Sequence, residues 1–238
     1  MPDGALRGSV LYVGCGCGDV TILAARAAGR GQSRGADFSR VQVAGARRLA
    51  ACAGVASARF EVAGAQVRPF GAGAFDVVLG SLGVMFFDDP AAAFGSLRRA
   101  LRRGGRLALA CWRTRAEDPV FTSGLADAAV ALGLRGMPGP GAAFSLADAG
   151  RVGGLLGGVG FGGIELAAVE EPMLIGRDVD DVLGYERASP AAAGVLAGLS
   201  PAQAAELARL VRDRLVAYAS PGGVTMPGAA WLVTARAA

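Results

Sequence analysis

The stretch Ser9–Asp19, SVLYVGCGCGD, places a run of strand-forming residues directly before a loop in which Gly14, Gly16 and Gly18 alternate with cysteines. Branched and aromatic residues favour strands, and glycine removes the side chains that would keep a ligand away from the backbone. In a parallel α/β sheet, the turn after the first strand faces the crevice where ligands bind. This stretch therefore predicts a first strand followed by a ligand-binding loop.

The rest of the chain alternates between strand-like and helical patterns. Strands are predicted at 9–13, 33–37, 58–62, 75–80, 105–112, 161–169 and 229–237. Helical patterns are predicted at 19–29, 39–53, 118–133, 145–160 and 200–219, and one more lies between the fourth and fifth strands. Alternating βα units form a parallel sheet with helices on both faces, so we expect an α/β fold.

Residues that favour helix starts support several of these helices. Asp19 is expected near the N-cap of the first helix, and Asp89 is expected to cap a helix with Pro90 as its first residue. Ser200 and Gln203 have the spacing of a capping box. The segment 136–143 is rich in Gly and Pro and is expected to be a loop.

Composition excludes several kinds of protein. A chain of 238 residues with 53% hydrophobic residues can bury one large core, and no apolar run is long enough to span a bilayer. The first residues lack the apolar region of a secretory signal, so a cytoplasmic protein is expected. A net charge of +4 requires no nucleic acid partner. Four cysteines without any histidine favour neither a disulfide framework nor a metal site.

The spacing of the glycine loop distinguishes two classes of nucleotide-binding fold. A dinucleotide-binding loop has the pattern G-x-G-x-x-G, but Asp19 occupies the position of its third glycine. The observed pattern is G-x-G-x-G, which resembles motif I of the class I S-adenosylmethionine (SAM) methyltransferases. Asp37, 19 residues after Gly18, stands where this family has an acid. A nicotinamide-dependent oxidoreductase is therefore a weaker alternative.

Further segments resemble the same family in the same order. VAGAQVRPF at 62–70 resembles its adenine-side segment, and 75–90 with 97–112 resemble its motifs IV to VI. GVMFF at 83–87 and the final strand are similar to the branch related to ubiquinone and menaquinone biosynthesis methyltransferases. The resemblance covers the chain from Ser9 onward.

This resemblance implies a Rossmann-like sheet of seven strands, mostly parallel with an antiparallel last strand. It implies a single domain over 1–238, with a cofactor-binding core at 1–115 and substrate-side helices and the last two strands at 116–238. SAM is the implied cofactor, and Asp37 would accept hydrogen bonds from its ribose hydroxyls. The implied cofactor-binding residues are Gly14, Cys15, Gly16, Gly18, Asp37, Phe38, Gly64, Ala65, Gln66 and Gly80.

Three departures from the family pattern favour a second interpretation. Tyr12 and Gly64 stand where the family has acids that contact the methionine end and the adenine amino group, and the family's covering helices before the first strand are expected to be partly absent. SAM affinity is therefore expected to be lower than usual. A non-catalytic relative with weakened or lost SAM binding is the main alternative to an enzyme.

The substrate class follows from what the chain lacks. No Pro-Pro motif of amino-directed DNA methyltransferases is present, and Cys111 follows Ala110 rather than the Pro of cytosine-C5 enzymes. Methylation of an O or C atom of a small metabolite remains. No histidine base exists, which leaves three side chains as candidate bases: Asp88, Asp89 and Tyr185.

Several side chains have both a structural and a functional interpretation. Cys15 and Cys17 are expected to be small packing residues rather than catalytic thiols. The aromatic residues near strand ends could line a substrate pocket or belong to the core: Phe86, Phe87 and Trp112. The basic cluster is expected to form a solvated face, four of its members at a helix C-terminus: Arg98, Arg99, Arg102, Arg103 and Arg106.

Overall fold

The computed structural model describes residues 8–29, 31–118, 124, 128–129, 133, 140–188 and 196–238. Its strands are β1 Ser9–Val13, β2 Gln32–Asp37, β3 Ala58–Val62, β4 Phe75–Ser81, β5 Leu101–Trp112, β6 Phe161–Gly176, β7 Ala219–Ser220 and β8 Gly223–Ala237. Its helices are α1 Asp19–Ala27, α2 Arg40–Cys52, α3 Pro90–Ala100, α4 Ala149–Gly158, α5 Val179–Ala188 and α6 Pro201–Val216. Short 3₁₀ turns cover Val84–Phe86, Arg115–Glu117 and Pro140–Phe144. The alternation expected for an α/β fold is confirmed.

The strands join in one sheet with the order β3-β2-β1-β4-β5-β8-β6, and β7 pairs with β8. β1 is parallel to both β2 and β4, β2 is parallel to β3, and β4 is parallel to β5, whereas β7 and β8 are antiparallel. The mostly parallel sheet is confirmed, with the two-residue β7 as one strand more than expected. Because the strand order reverses between β1 and β4, the ligand crevice is expected at their carboxyl ends.

Two compact units divide the chain. The first contains 1–111, 145–168 and 231–238, and the second contains 112–144 and 169–230. The first unit holds β1 to β4, the helices α1 to α4 and most of β5, whereas the second holds α5, α6 and β7. The expected division into a cofactor-binding core and a substrate-side half stays a prediction.

Each unit has its own buried apolar cluster. In the first unit, one cluster contains Ile22 of α1, Val43 of α2 and Phe60 of β3. In the second unit, α5 and α6 bury Val182 and Leu207 among others. Full burial of one such side chain stabilises a fold by about 1.5–3 kcal/mol. Burial of these side chains therefore stabilises the packing of the helices within each unit.

Helix caps explain where α3 and α6 begin. The Asp89 carboxylate accepts a hydrogen bond from the amide of Ala92 at 2.9 Å. Ser200 and Gln203 exchange the side-chain to backbone bonds of a capping box. Both predicted caps are confirmed.

Asp19 lies next to the N-cap of α1, as expected, but its side chain does not cap the helix. Gly18 is the N-cap residue, in a left-handed conformation with φ 93°, and Asp19 is the first helical residue. No side chain caps this helix. The glycine loop enters α1 through a backbone conformation that only glycine adopts readily. Asp19 instead places a carboxylate in the first turn, where it suits the helix dipole.

Several element ends differ from the prediction. β6 continues to Gly176, and α5 was not predicted. Most of the helix predicted at 118–133 lies outside the described residues. The same is true of 136–139 in the predicted loop, while Pro140–Phe144 forms a 3₁₀ turn.

Candidate functional site

The glycine loop joins β1 to α1 at the expected crevice. Gly14 and Gly16 have φ values of 67° and 53°, which other residues rarely adopt. The amides of Gly14 and Cys15 donate to the Ala36 carbonyl at 2.9 and 3.1 Å. A Cβ atom at Gly14 would lie 3.2 Å from the Cα of Gly83. The loop is therefore tied to β2 and lies close against the segment that follows β4.

Asp37 ends β2, and its side chain is only 8% exposed. One carboxylate oxygen accepts from the amide of Gly16 at 2.9 Å, and the other accepts from the amide of Ser39 at 2.8 Å. Asp37 thus connects the glycine loop to the start of α2. A carboxylate oxygen can accept more than one hydrogen bond, so both oxygens retain acceptor capacity for a ligand.

A cavity of about 560 Å³ opens at the carboxyl ends of β1, β2 and β4. Every residue that lines it belongs to the first unit. They are Gly14, Gly16, Asp37, Phe38, Gln42, Ala63, Gly64, Ala65, Gln66, Val67, Ser81, Leu82, Gly83, Phe86, Phe87 and Asp88. The lining brings the glycine loop, the acid after β2 and the segment after β3 to one place.

Most of the residues expected to bind a cofactor line this cavity. Those on the lining are Gly14, Gly16, Asp37, Phe38, Gly64, Ala65 and Gln66. Cys15, Gly18 and Gly80 are not on it. A Cβ atom at Gly18 would lie 2.8 Å from side-chain atoms of Ala46 and Phe60, and one at Gly80 would lie 2.6 Å from Val84. The two glycines therefore allow close packing behind the cavity wall.

The two cysteines of the loop point to different environments. Cys15 is buried, and burial raises the pKa of its thiol to about 12, with the nearby charge of Asp37 as a smaller cause. A thiol that stays protonated is a poor nucleophile, which agrees with the expected packing role. Cys17 is exposed rather than packed, and its Sγ lies 2.9 Å from Oε1 of Gln42.

Another part of the cavity lining follows β4. Leu82 has φ 54°, and among the described residues it is the one non-glycine residue with positive φ. Its amide donates to the Ala110 carbonyl at 2.9 Å, which holds the turn against β5. The Phe87 ring packs edge-on against Phe94 with ring centroids 5.7 Å apart, and Phe86 is 55% exposed. The expected aromatic pocket wall thus consists of Phe86 and Phe87 without Trp112.

The order of these features agrees with a comparison against protein families. Residues 10–105 match the family described as methyltransferase domain. That segment contains the glycine loop, Asp37 and the whole cavity lining. This part of the chain is therefore similar to a methyltransferase domain.

Curated relatives resemble the same part of the chain. A demethylmenaquinone methyltransferase of Thermus thermophilus is 39% identical over 98 residues, which are 41% of this chain and 44% of that protein. An aklanonic acid methyltransferase of a Streptomyces species is 33% identical over 116 residues, which are 48% of this chain and 50% of that protein. The chain thus spans half or less of the length of these relatives.

Solved structures share the fold over nearly the whole chain. The YcgJ protein of Bacillus subtilis has a TM-score of 0.62 at 18% identity, over 97% of this chain and 92% of that one. Phosphoethanolamine N-methyltransferase 2 of Haemonchus contortus, solved with SAM, has a TM-score of 0.56 at 19% identity, over 96% of this chain and 48% of that one. The fold shared with these structures therefore extends beyond residue 105.

Tyr12 and Gly64, which stand where the resembled family has acids, differ in their surroundings. Tyr12 is 5% exposed and packs in the same cluster as Ile22 and Val43, and it does not line the cavity. Burial raises the pKa of the Tyr12 phenol, and hydrogen bonding with Ser81 opposes that shift. Gly64 does line the cavity and brings no side chain to it. The cavity lining therefore carries no charge at this position.

The three candidate bases have different surroundings. Asp89 caps α3, whereas Asp88 lines the cavity beside the glycine loop. Tyr185 lies on α5 in the second unit and is 78% exposed. Asp88 is the one of the three that is placed at the cavity.

In the part of the chain that the structure describes, no group of three or more His, Cys, Asp or Glu side chains could hold a metal ion. No helix within the same residues is long and apolar enough to cross a membrane.

Proposed function

We propose that the chain is a SAM-dependent methyltransferase acting on an O or C atom of a small metabolite. The observation that carries the proposal is the cavity formed by the glycine loop, Asp37 and the segment after β3. The names of the matching relatives support methyl transfer, although they match over half of their length or less. A small-molecule partner and a cytoplasmic location belong to the same proposal.

The residues of the cavity fit SAM. Its volume of about 560 Å³ is within the range of roughly 300–1,000 Å³ typical of small-ligand sites. Asp37 would accept the ribose hydroxyls, and the absence of side chains at Gly14 and Gly16 leaves room for the methionine part. Phe38 and the 64–66 segment would contact adenine. When bound, SAM supplies an electrophilic methyl group on a sulfonium.

The chain's own contribution to this reaction is alignment and exclusion of water. Holding a donor and an acceptor in attack geometry can supply several kcal/mol of the barrier, about 7–11 kcal/mol in the most favourable cases. The turn from Ser81 to Gly83 and the Phe86–Phe87 wall would form the acceptor side. Their fixed backbone, packed against the loop and against α3, suits that task.

A non-catalytic relative is the second candidate function, and Gly64 favours it. Where an acid at that position bonds the adenine amino group, its loss costs about 1.5–3 kcal/mol. A cofactor site weakened by that amount could persist in a protein that acts through a partner.

Calorimetric titration with SAM and S-adenosylhomocysteine separates the two candidates. We expect saturable one-to-one binding of both compounds to the parent protein. Gly16→Val is the matched loop variant, and it is expected to abolish binding because the branched side chain would enter the cavity. Absence of binding to the folded parent protein would reject the methyltransferase proposal and favour the non-catalytic one.

A further inference from the structure

Asp88 is an ionisable residue of the cavity lining that has no role in the proposed contacts with SAM. It follows the Phe86–Phe87 wall, and its carboxylate is exposed and lines the cavity. Within the described residues, no hydrogen bond or ion pair of this carboxylate is recorded. Because this carboxylate lacks a partner among the described residues and lies at the cavity, it is available to bind a ligand.

The residues on either side hold Asp88 in place. The Phe87 ring packs edge-on against the fully buried Phe94. The amide of Asp89 donates to Oε1 of Gln66 at 3.1 Å, and its carboxylate caps α3. Both neighbours are thus fixed by contacts of their own, so the backbone position of Asp88 at the cavity is fixed as well.

The charges of the lining limit the kind of acceptor. Its ionisable side chains are the two acids Asp37 and Asp88, and no lining residue is basic. Asp37 already accepts two backbone amides, whereas Asp88 accepts none that the structure records. An acceptor that carries a permanent phosphate or carboxylate would meet the like charge of Asp88 here, and no lining side chain supplies a cation that offsets it.

We propose that Asp88 binds the methyl acceptor, and that this acceptor is an uncharged hydroxyl compound with an apolar body. This inference rests on the proposed function. The apolar body contacts Phe86, Phe87 and Leu82, and the hydroxyl donates its hydrogen bond to the Asp88 carboxylate. Asp88 is then a catalytic residue, because it touches the reacting hydroxyl.

The proton and electron balance is simple. The acceptor O–H bond breaks, and its proton moves to a carboxylate oxygen of Asp88. The oxygen's electron pair forms the new O–CH₃ bond as the S–CH₃ bond breaks, and the neutral thioether S-adenosylhomocysteine leaves. Since Asp88 is exposed, it returns the proton to water.

A binding experiment without SAM tests the inference first. 4-Nitrophenol changes its absorbance on ionisation, so its pKa when bound can be read directly from a titration with the parent protein. We expect the carboxylate to raise the pKa of bound 4-nitrophenol above that of the free compound, and Asp88→Asn to remove most of this increase. Glu165→Gln, which removes an acid from another part of the first unit, is the charge-matched control and should keep it. No binding, or an equal pKa in the parent protein and Asp88→Asn, would overturn the inference.

A kinetic experiment then separates a catalytic from a merely structural role. With 2-naphthol, which is neutral in the assay, Asp88→Asn should lower kcat by about 10²–10⁴-fold, the usual contribution of a general base. With 4-nitrophenol at mildly alkaline pH, where it is already ionised, the same variant should be as fast as the parent protein or faster. Asp88→Glu should recover part of the 2-naphthol rate. Equal losses with both phenols would overturn the catalytic role.

Matched acceptors test the substrate class. We expect 2-naphthol to be methylated at a higher kcat/KM than 6-hydroxy-2-naphthoate, which adds a carboxylate to the same ring. Preference for the carboxylate would overturn the proposed class while leaving SAM-dependent methylation intact. Failure of the parent protein to bind SAM would instead reject the proposed function, so the two failures are distinguishable.

Discussion

Asp37 has two tasks at the residue scale, since it faces the cavity and also accepts the amides of Gly16 and Ser39. Replacement by Ala should therefore weaken SAM binding by about 1.5–3 kcal/mol and also lower the thermal stability of the loop region. Asn keeps one acceptor oxygen and should lose less of both. Calorimetry and thermal unfolding measure the two effects.

Asp19→Asn is the control for Asp37, because it removes an exposed acid next to the same loop but outside the cavity lining. It should leave the Kd for SAM unchanged. An Ala variant at Asp37 that folds and retains the parent Kd would exclude the proposed ribose contact.

Gly64 allows a test of gained affinity. A Cβ atom there has its nearest neighbour, Cγ2 of Val67, at 3.6 Å, which is an ordinary contact. Gly64→Asp should therefore fit and bring the missing carboxylate to the adenine side, with about tenfold tighter SAM binding for each 1.4 kcal/mol gained. Gly64→Asn, of the same size without the charge, should gain less.

The Gly64→Asp titration also bears on the second candidate function. A stable Asp variant that binds SAM no better than the parent protein would favour the non-catalytic relative. Tyr12→Asp is not suited to the same test of gained affinity. Tyr12 packs in the core, and its replacement would bury an unpaired charge.

At the scale of elements, the Asp89 cap at the start of α3 lies directly after the cavity-lining residue Asp88. Asp89→Ala should cost about 1 kcal/mol of unfolding free energy, the usual value of an N-cap, and should also loosen the neighbouring Asp88. Ser200→Ala removes the cap of α6 in the second unit at a similar cost. Urea unfolding should show two similar losses, while only Asp89→Ala weakens binding of 4-nitrophenol. Equal binding in both variants would show that the cap does not position Asp88.

The elements that the sequence predicted best are those whose local pattern agrees with their packing. β1 and β3 match the predicted ends, because an apolar run bounded by turn residues leaves few alternatives. Helix α5 was missed since its sequence contains Gly184 and branched residues, and burial of Val182 and Leu183 determines its conformation instead. The left-handed conformation of Leu82 could not be predicted from the sequence, because leucine does not favour that conformation.

In the candidate site too, features that follow from a local sequence pattern could be predicted, and features that depend on distant contacts could not. Gly14, Gly16 and Asp37 could be predicted because their place after a strand defines the crevice. Gln42 reaches the cavity from the first turn of α2, which no motif marks. The basic cluster expected on a solvated face also makes specific contacts, since Arg98 binds the carbonyls of Gly160 and Ala238. These contacts join residues 62 and 140 positions apart, a distance that local patterns do not encode.

At the scale of the whole molecule, two carboxylates affect the pH dependence of stability in opposite ways. In the first unit, the hydrogen bond from Arg102, with that from the Ser9 amide, lowers the pKa of Asp76. Its stabilising contribution is therefore complete above the ordinary Asp pKa and is lost as the pH falls through the lowered value. The change in stability that is due to Asp76 is therefore confined to the acidic pH range.

Asp118 in the second unit changes the pH dependence of stability in the opposite direction. Its side chain is 0% exposed, one oxygen accepts from the Ala229 amide at 2.7 Å, and the other has no hydrogen-bond partner among the described residues. Burial raises the pKa of Asp118, the neighbouring Glu117 adds to the rise, and the Ala229 bond and Arg113 oppose it. Because the folded state binds this proton more tightly than the unfolded state, the unfolding free energy falls as the pH rises from the ordinary Asp pKa to the raised one.

Asp118→Asn should remove that penalty while its amide oxygen still accepts from Ala229. Relative to the parent protein, the variant should gain stability as the pH rises from about 4 towards neutral, by about 1.4 kcal/mol for each unit of the parent's pKa shift. Above the raised pKa, the difference should level off. Urea unfolding across this pH range measures it, with Asp76→Asn as the control whose loss of stability is already complete above the ordinary Asp pKa. A difference between Asp118→Asn and the parent protein that stays constant from acid to neutral pH would mean that Asp118 is ionised in the folded protein as readily as in the unfolded chain.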